Sequence, residues 1–161
     1  MSTTSIYLAI SCDSEHRTLA TKIARTLSVI NEENFIYCPW TLKIPNAWDM
    51  SQEQWARKVF EADIKAINEA DVVLCITFGR EKTSAGTIWE NGYAYGINKP
   101  VWVIQIGEEL TSLMNYCGCT HFINCAAIDD LPETLVFFDN NWKKWNDVGC
   151  ETTARCKTIL T

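Results

Sequence analysis

The chain has 161 residues, 47% of them apolar and 21% charged, and a formal net charge of −6. That length and balance suit one globular domain spanning residues 1–161, and an acidic chain with scattered Lys and Arg lacks the basic footprint of a nucleic-acid polymer binder. The longest apolar runs fall far short of a membrane span and the start MSTTSIYLAISCDSEH lacks the features of an export signal, so the eight cysteines are expected as reduced thiols in the cytoplasm.

Residues 6–10 (IYLAI) form the first expected strand. Leu19, Ile23, Leu27 and Ile30 recur at spacings of three and four, which predicts a helix. Residues 35–38 follow as a second strand. Trp55, Val59, Ala62, Ala66 and Ile67 then mark a second helix, and residues 72–78 (VVLCITF) a third strand. The next helix is expected from about Thr87 to Ile97, stopped by Asn98-Lys99-Pro100. Residues 101–106 and 121–124 complete five strands. A last helix runs from Leu131 to about Trp145, and the tail from about Asn146 carries little pattern and is expected to be loosely held.

Strands that read as continuous apolar runs and alternate with helices imply an α/β fold. Right-handed crossovers make it a doubly wound, flavodoxin-like parallel sheet of about five strands with helices on both faces. Ligands in such sheets bind beyond the carboxyl ends of the strands. Attention therefore falls on segments 11–17, 79–90 and 107–115.

The second of these is the most informative. Gly86 offers a turn near the ligand side, and Thr87 is placed to cap the helix. Glu90 would then be the third helical residue, where the helix dipole holds a carboxylate ionised, as a nucleophile requires. The competing reading is a plain Thr-x-x-Glu capping box, which spacing alone favours. Asp63, eight residues after Trp55, lies close to the buried stripe of its helix. A carboxyl group there is either an acid of raised pKa at a pocket rim or a boundary residue reaching solvent. Asp71, between helix and strand, reads as structural. The Tyr7 hydroxyl can hold a carboxylate, although a core tyrosine is the usual explanation. Trp40, Trp48 and Trp55 can stack a flat ligand, but such aromatics more often pack in a core. Cys117-x-Cys119 has the wrong spacing for zinc and no second cluster, so no metal is expected. His16 and His121 fall in no nucleophile motif, and neither a Walker loop nor Gly-x-Gly-x-x-Gly is present.

Taken in order, these segments resemble the nucleoside 2-deoxyribosyltransferase family. The resemblance rests on Ile6-Tyr7-Leu8-Ala9, Trp55, Ala62-Asp63-Ile64, Ala70-Asp71, Gly86-Thr87-x-Trp89-Glu90-x-Gly92-Tyr93-Ala94, Asn98-Lys99-Pro100-Val101 and Leu113-Met114. It implies that Glu90 attacks the anomeric carbon of a 2′-deoxynucleoside, that Asp63 protonates or holds the departing base, and that Tyr7 orients Glu90. It implies no cofactor. Substrates would be a deoxynucleoside or deoxynucleotide and a free nucleobase, with Ser84, Gly86, Ser112, Met114 and Trp48 binding them. It implies a homo-oligomer built from dimers, in which a neighbouring chain completes each site with its segment 112–114.

Two positions depart from the transferase pattern. Ser84 stands where transferases usually carry aspartate near the sugar 5′-hydroxyl, and Ser112 where they often carry asparagine. The related 2′-deoxynucleoside 5′-monophosphate N-glycosidases have serine at both. Hydroxyls donate to a phosphate that a carboxylate would repel. Against that branch, the loop after the first strand, Ile10-Ser11-Cys12-Asp13-Ser14, has no glycine-rich turn. Transfer is thus the first expectation, monophosphate hydrolysis the alternative. A non-catalytic nucleotide sensor on the same fold is the third, which the presence of both Glu90 and Asp63 argues against.

Overall fold

The computed structural model describes residues 3–147 and 157–158. All five expected strands are present, each within two residues of its expected limits: β1 (Thr4–Ala9), β2 (Asn34–Tyr37), β3 (Val72–Thr77), β4 (Val101–Ile106) and β5 (His121–Cys125). The helices are α1 (Ser14–Ile30), α2 (Gln52–Glu69), α3 (Ala85–Gly96), α4 (Leu113–Cys117) and α5 (Leu131–Asp147). Not foreseen were the short α4, the 3-10 turns Pro39–Thr41, Ala47–Asp49 and Ile128–Asp130, and β6 (Lys157–Thr158), which pairs in parallel with β5. The rest of the tail beyond Asp147 lies outside the described residues.

The sheet is parallel throughout, in the order β2-β1-β3-β4-β5-β6. Its central strands are buried on both faces; all six residues of β3 are inaccessible to solvent or nearly so. The period of two in a strand divides the core. Ile6, Leu8, Leu74 and Trp102 pack with Ile23, Leu27 and Phe138 of α1 and α5. Tyr7, Ala9, Val73 and Cys75 face the other way, toward Ile67 of α2 and Ala94 of α3. Strand order reverses between β1 and β3, which leaves a crevice at their carboxyl ends.

The helices differ in how much they bury. α1 is capped by Asp13, which accepts from the His16 amide at 2.9 Å, and buries Ala20, Ile23 and Leu27. α2 begins with a Ser51/Gln54 capping box, yet Ile67 is its one buried residue. Its apolar pattern marks a helix correctly but does not mark a core face: Trp55 is 46% exposed and Phe60 52%. Trp48 is almost wholly exposed, whereas Trp40 packs against the core. The expectation of core aromatics therefore holds for Trp40 and fails for Trp48 and Trp55, because periodicity reports a face without saying what covers it.

Candidate active site

The first turn of α3 corrects the sequence reading. Ser84, not Thr87, is the N-cap; its Oγ accepts from the Thr87 amide at 3.2 Å and lies 2.9 Å from Thr87 Oγ1. Ser84 is itself held by its amide, which donates to Ser11 Oγ at 2.9 Å. The helix starts at Ala85, so Gly86 is its second residue rather than a turn, and Glu90 is its sixth. Neither the capping box nor the dipole argument survives. A carboxylate in the second turn has no free backbone amide to cap, and the dipole acts mainly within the first turn.

Glu90 instead lies within electrostatic reach of two tyrosines and a second acid. Tyr7 and Tyr37 are partners in the β1–β2 register, and their rings stack with centroids 5.4 Å apart. The Tyr37 hydroxyl donates to Asp63 Oδ1 at 3.1 Å, fixing the α2 carboxyl over the strand ends. The Tyr7 hydroxyl is buried beside Glu90 and close enough to favour its ionised form, although the contact falls outside strict hydrogen-bond geometry. Cys12, just beyond β1, feels the charge of both carboxyls. The sequence reading named Tyr7, Asp63 and Glu90, and the structure brings them together. Tyr37 and Cys12 it missed. Tyr37 was findable as the tyrosine at the carboxyl end of the strand expected next to the first.

Burial sets the protonation of this cluster. It pushes the Glu90 carboxyl from an ordinary 4.5 up to about 7; the Tyr7 hydroxyl pulls it partly back and the Asp63 charge adds to the rise. Burial also raises Asp63, opposed by the Tyr37 hydrogen bond. Both tyrosine hydroxyls are raised, first by burial and then by the neighbouring carboxylates, and stay protonated. The expected permanently ionised Glu90 is therefore replaced by an acid that titrates near neutrality. Two carboxyl groups sensing each other can hold one proton between them, the arrangement that acid–base chemistry needs.

The remaining candidates are more dispersed. Ser112 caps α4 by accepting from the Asn115 amide at 3.2 Å, and Met114 projects with 78% exposure. α4 is tied to α3 through Asn91 Nδ2, which donates to Asn115 Oδ1 at 2.8 Å. Trp48, on the turn Ala47–Asp49, is exposed to solvent and not gathered into the cluster by any ring contact. Arg17, in the first turns of α1, folds back so that Nε donates to the Cys12 carbonyl at 2.8 Å. Asp71 is structural, as expected: its Oδ2 accepts from the Ser5 amide at 2.8 Å. Among the described residues no three His, Cys, Asp or Glu side chains are grouped to hold a metal ion.

No curated protein sequence matches the chain. Among solved structures, a 2-deoxyribosyltransferase from Bacillus psychrosaccharolyticus is similar with a TM-score of 0.63 and 26% identity, over 82% of this chain and 96% of that one. A CMP N-glycosidase from Clostridium botulinum shares the fold with a TM-score of 0.55 at 20% identity, over 84% and 99% of the two chains. A conserved protein from Enterococcus faecalis V583 does so at 0.58 and 13%, over 91% and 99%. The sequence model of the nucleoside 2-deoxyribosyltransferases matches residues 6–121, which include Tyr7, Asp63, Glu90 and the whole of α4, and the chain belongs to that family.

Proposed function

We propose that this protein breaks the N-glycosidic bond of 2′-deoxynucleosides and passes the sugar to another base through a covalent deoxyribosyl-Glu90 ester. The observation that carries this reading is the pair of half-buried carboxyl groups, Asp63 and Glu90, each beside a tyrosine, at the strand ends where sheet order reverses. In the first step a Glu90 oxygen bonds to C1′ as the C1′–N bond breaks, its electron pair leaving with the base. Asp63 gives the base its proton. In the second step a new base, deprotonated by Asp63, attacks C1′ and releases Glu90. Splitting one difficult displacement into two lowers the barrier. Since burial raises the Glu90 carboxyl to about 7, only part of it is ionised at neutral pH and the proton must leave before attack; the Tyr7 hydroxyl, which favours the ionised form, assists this. No cofactor is required by this chemistry.

Hydrolysis of a deoxynucleoside monophosphate is the second reading. It is favoured by Ser84 and Ser112, which present hydroxyls and no carboxylate at the positions assigned to the sugar 5′ end. The assembly is inferred to be a homo-oligomer built from dimers. Exposed Trp55 and Phe60 of α2, Trp89 of α3 and Met114 of α4 give one side of the sheet an apolar cover suited to a second copy.

The test is Glu90→Ala, assayed by chromatographic release of base from deoxynucleosides. Base release should fall by several orders of magnitude with the fold intact. Retention of more than about a tenth of the wild-type rate would rule out the covalent mechanism.

A further inference from the structure

Behind Glu90 runs a chain of buried polar side chains that the chemistry above does not use. Thr77 Oγ1 donates to Gln105 Oε1 at 3.0 Å, and the same oxygen accepts from the Thr111 amide at 3.0 Å. Asn115 Nδ2 donates to Thr111 Oγ1 at 3.3 Å, and Asn115 Oδ1 accepts from Asn91 Nδ2 at 2.8 Å. Thr77, Asn91, Gln105, Thr111 and Asn115 are all 2% exposed or less. The line thus joins the ends of β3 and β4 to α4 and then to α3, one residue past Glu90.

Packing alone does not account for it. Apolar side chains of similar volume would fill the gap between α3 and α4 without needing partners. Here Asn91 Oδ1 is buried with no partner, a standing cost that an apolar pair would avoid. What a directional amide pair supplies, and an apolar contact does not, is a single register between two helices. That matters on both sides of the pair. Asn91 and Glu90 share one turn of α3, so any slide of Asn91 carries the carboxyl with it. Asn115 is the one buried residue of α4, whose Leu113 and Met114 are 64% and 78% exposed. It therefore pins to the body the segment that, in the expected dimer, reaches the sugar 5′ end in the neighbouring chain's site.

We propose that the Asn91–Asn115 amide pair is a positioning contact that sets Glu90 from the α4 segment, so that what occupies segment 112–114 in the neighbouring chain's site is sensed at this chain's nucleophile. The proposal rests on the functional reading above. Neither asparagine touches substrate; both act through Glu90.

The experiment compares wild type, Asn115→Ala, Asn91→Ala and the double variant for base release from deoxynucleosides. Expected are a kcat at least ten-fold lower in each single variant, KM changed less than about three-fold, and no further loss in the double, because the two residues act as one contact. The acid limb of kcat should move to lower pH in Asn115→Ala, since a loosened α3 admits water to Glu90. Asn115→Asp, which keeps the acceptor for Asn91, serves as conservative rescue: its kcat relative to wild type at the same pH should recover at acidic pH, where the buried acid is protonated and nearly isosteric with the amide. A kcat and acid limb like wild type in Asn115→Ala overturn the proposal while leaving the functional reading intact. If the alanine variants do not fold, a ratio of Asn115→Asp to wild-type kcat, taken at the same pH, that does not fall as pH rises overturns it instead. A wild type without base release, or one indifferent to Glu90→Ala, overturns the functional reading and the proposal with it.

Discussion

Glu90→Gln should make the protein less active and should gain stability relative to wild type as pH rises through neutrality. Burial raises the Glu90 carboxyl from 4.5 to about 7 in the folded chain. A group raised on folding stabilises fully below its unfolded value, and that contribution is lost as pH rises through the folded value. At 1.36 kcal/mol per pH unit, the loss between the two values is about 3 kcal/mol. Glutamine has no proton to lose, so its stability lacks this component. Urea unfolding followed by tryptophan fluorescence is a suitable assay, because Trp102 is fully buried in the core. Measured from about pH 5.5 to about pH 8, above the isoelectric point near 4.9, the difference between the two chains should swing toward the glutamine variant by about 2 kcal/mol. Burying an extra amide offsets the whole curve by a constant and leaves the swing unchanged. Base release by wild type should rise with pH through about 7, as the nucleophile ionises, and fall again at the pH where Asp63 loses the proton it gives the base. Parallel stability curves for the two chains would refute the burial argument, and with it the assignment of the acid limb to Glu90.

Asp63→Asn keeps an oxygen for the Tyr37 hydroxyl but cannot protonate a base. It should slow substrates with poor leaving bases by ~100-fold or more and activated ones far less; equal losses would instead indicate a binding or folding defect. Ser84→Asp retains a good helix cap, so the fold should stand. Activity on a deoxynucleoside should survive or rise, and any activity on its monophosphate should collapse, since a carboxylate a few ångströms from a phosphate costs several kcal/mol at intermediate dielectric; unchanged ratios would show that Ser84 does not face the 5′ end. Gly118→Ala places a methyl group 2.4 Å from the Met114 carbonyl oxygen, which should open the last turn of α4 and lower stability by about 1–3 kcal/mol in a denaturant melt; a melt like wild type would show that α4 yields at no cost.

Sequence periodicity by itself determined the α/β class, the five principal strands and the long helices, because buried parallel strands and amphipathic helices impose residue spacings that are legible without coordinates. The ordered motifs through Glu90 also sufficed to indicate the family that the comparison with known sequences establishes. What tertiary structure alone decided are the properties that depend on distant neighbours. Ser84 displaces Thr87 as the cap because the loop before α3 is held to Ser11 of the β1 loop, a contact spanning 73 residues of sequence. α2 exposes Trp55 because a repeating apolar face says nothing of which element, if any, lies against it. β6 is too short to show a pattern and exists through its pairing with β5. The protonation of Glu90 was read wrongly from helix position, since spacing reveals the local dipole but not the burial that outweighs it. Tyr37 joined the site for the same reason: parallel register sets it beside Tyr7 and under Asp63, and register is a relation between strands that neither strand encodes alone.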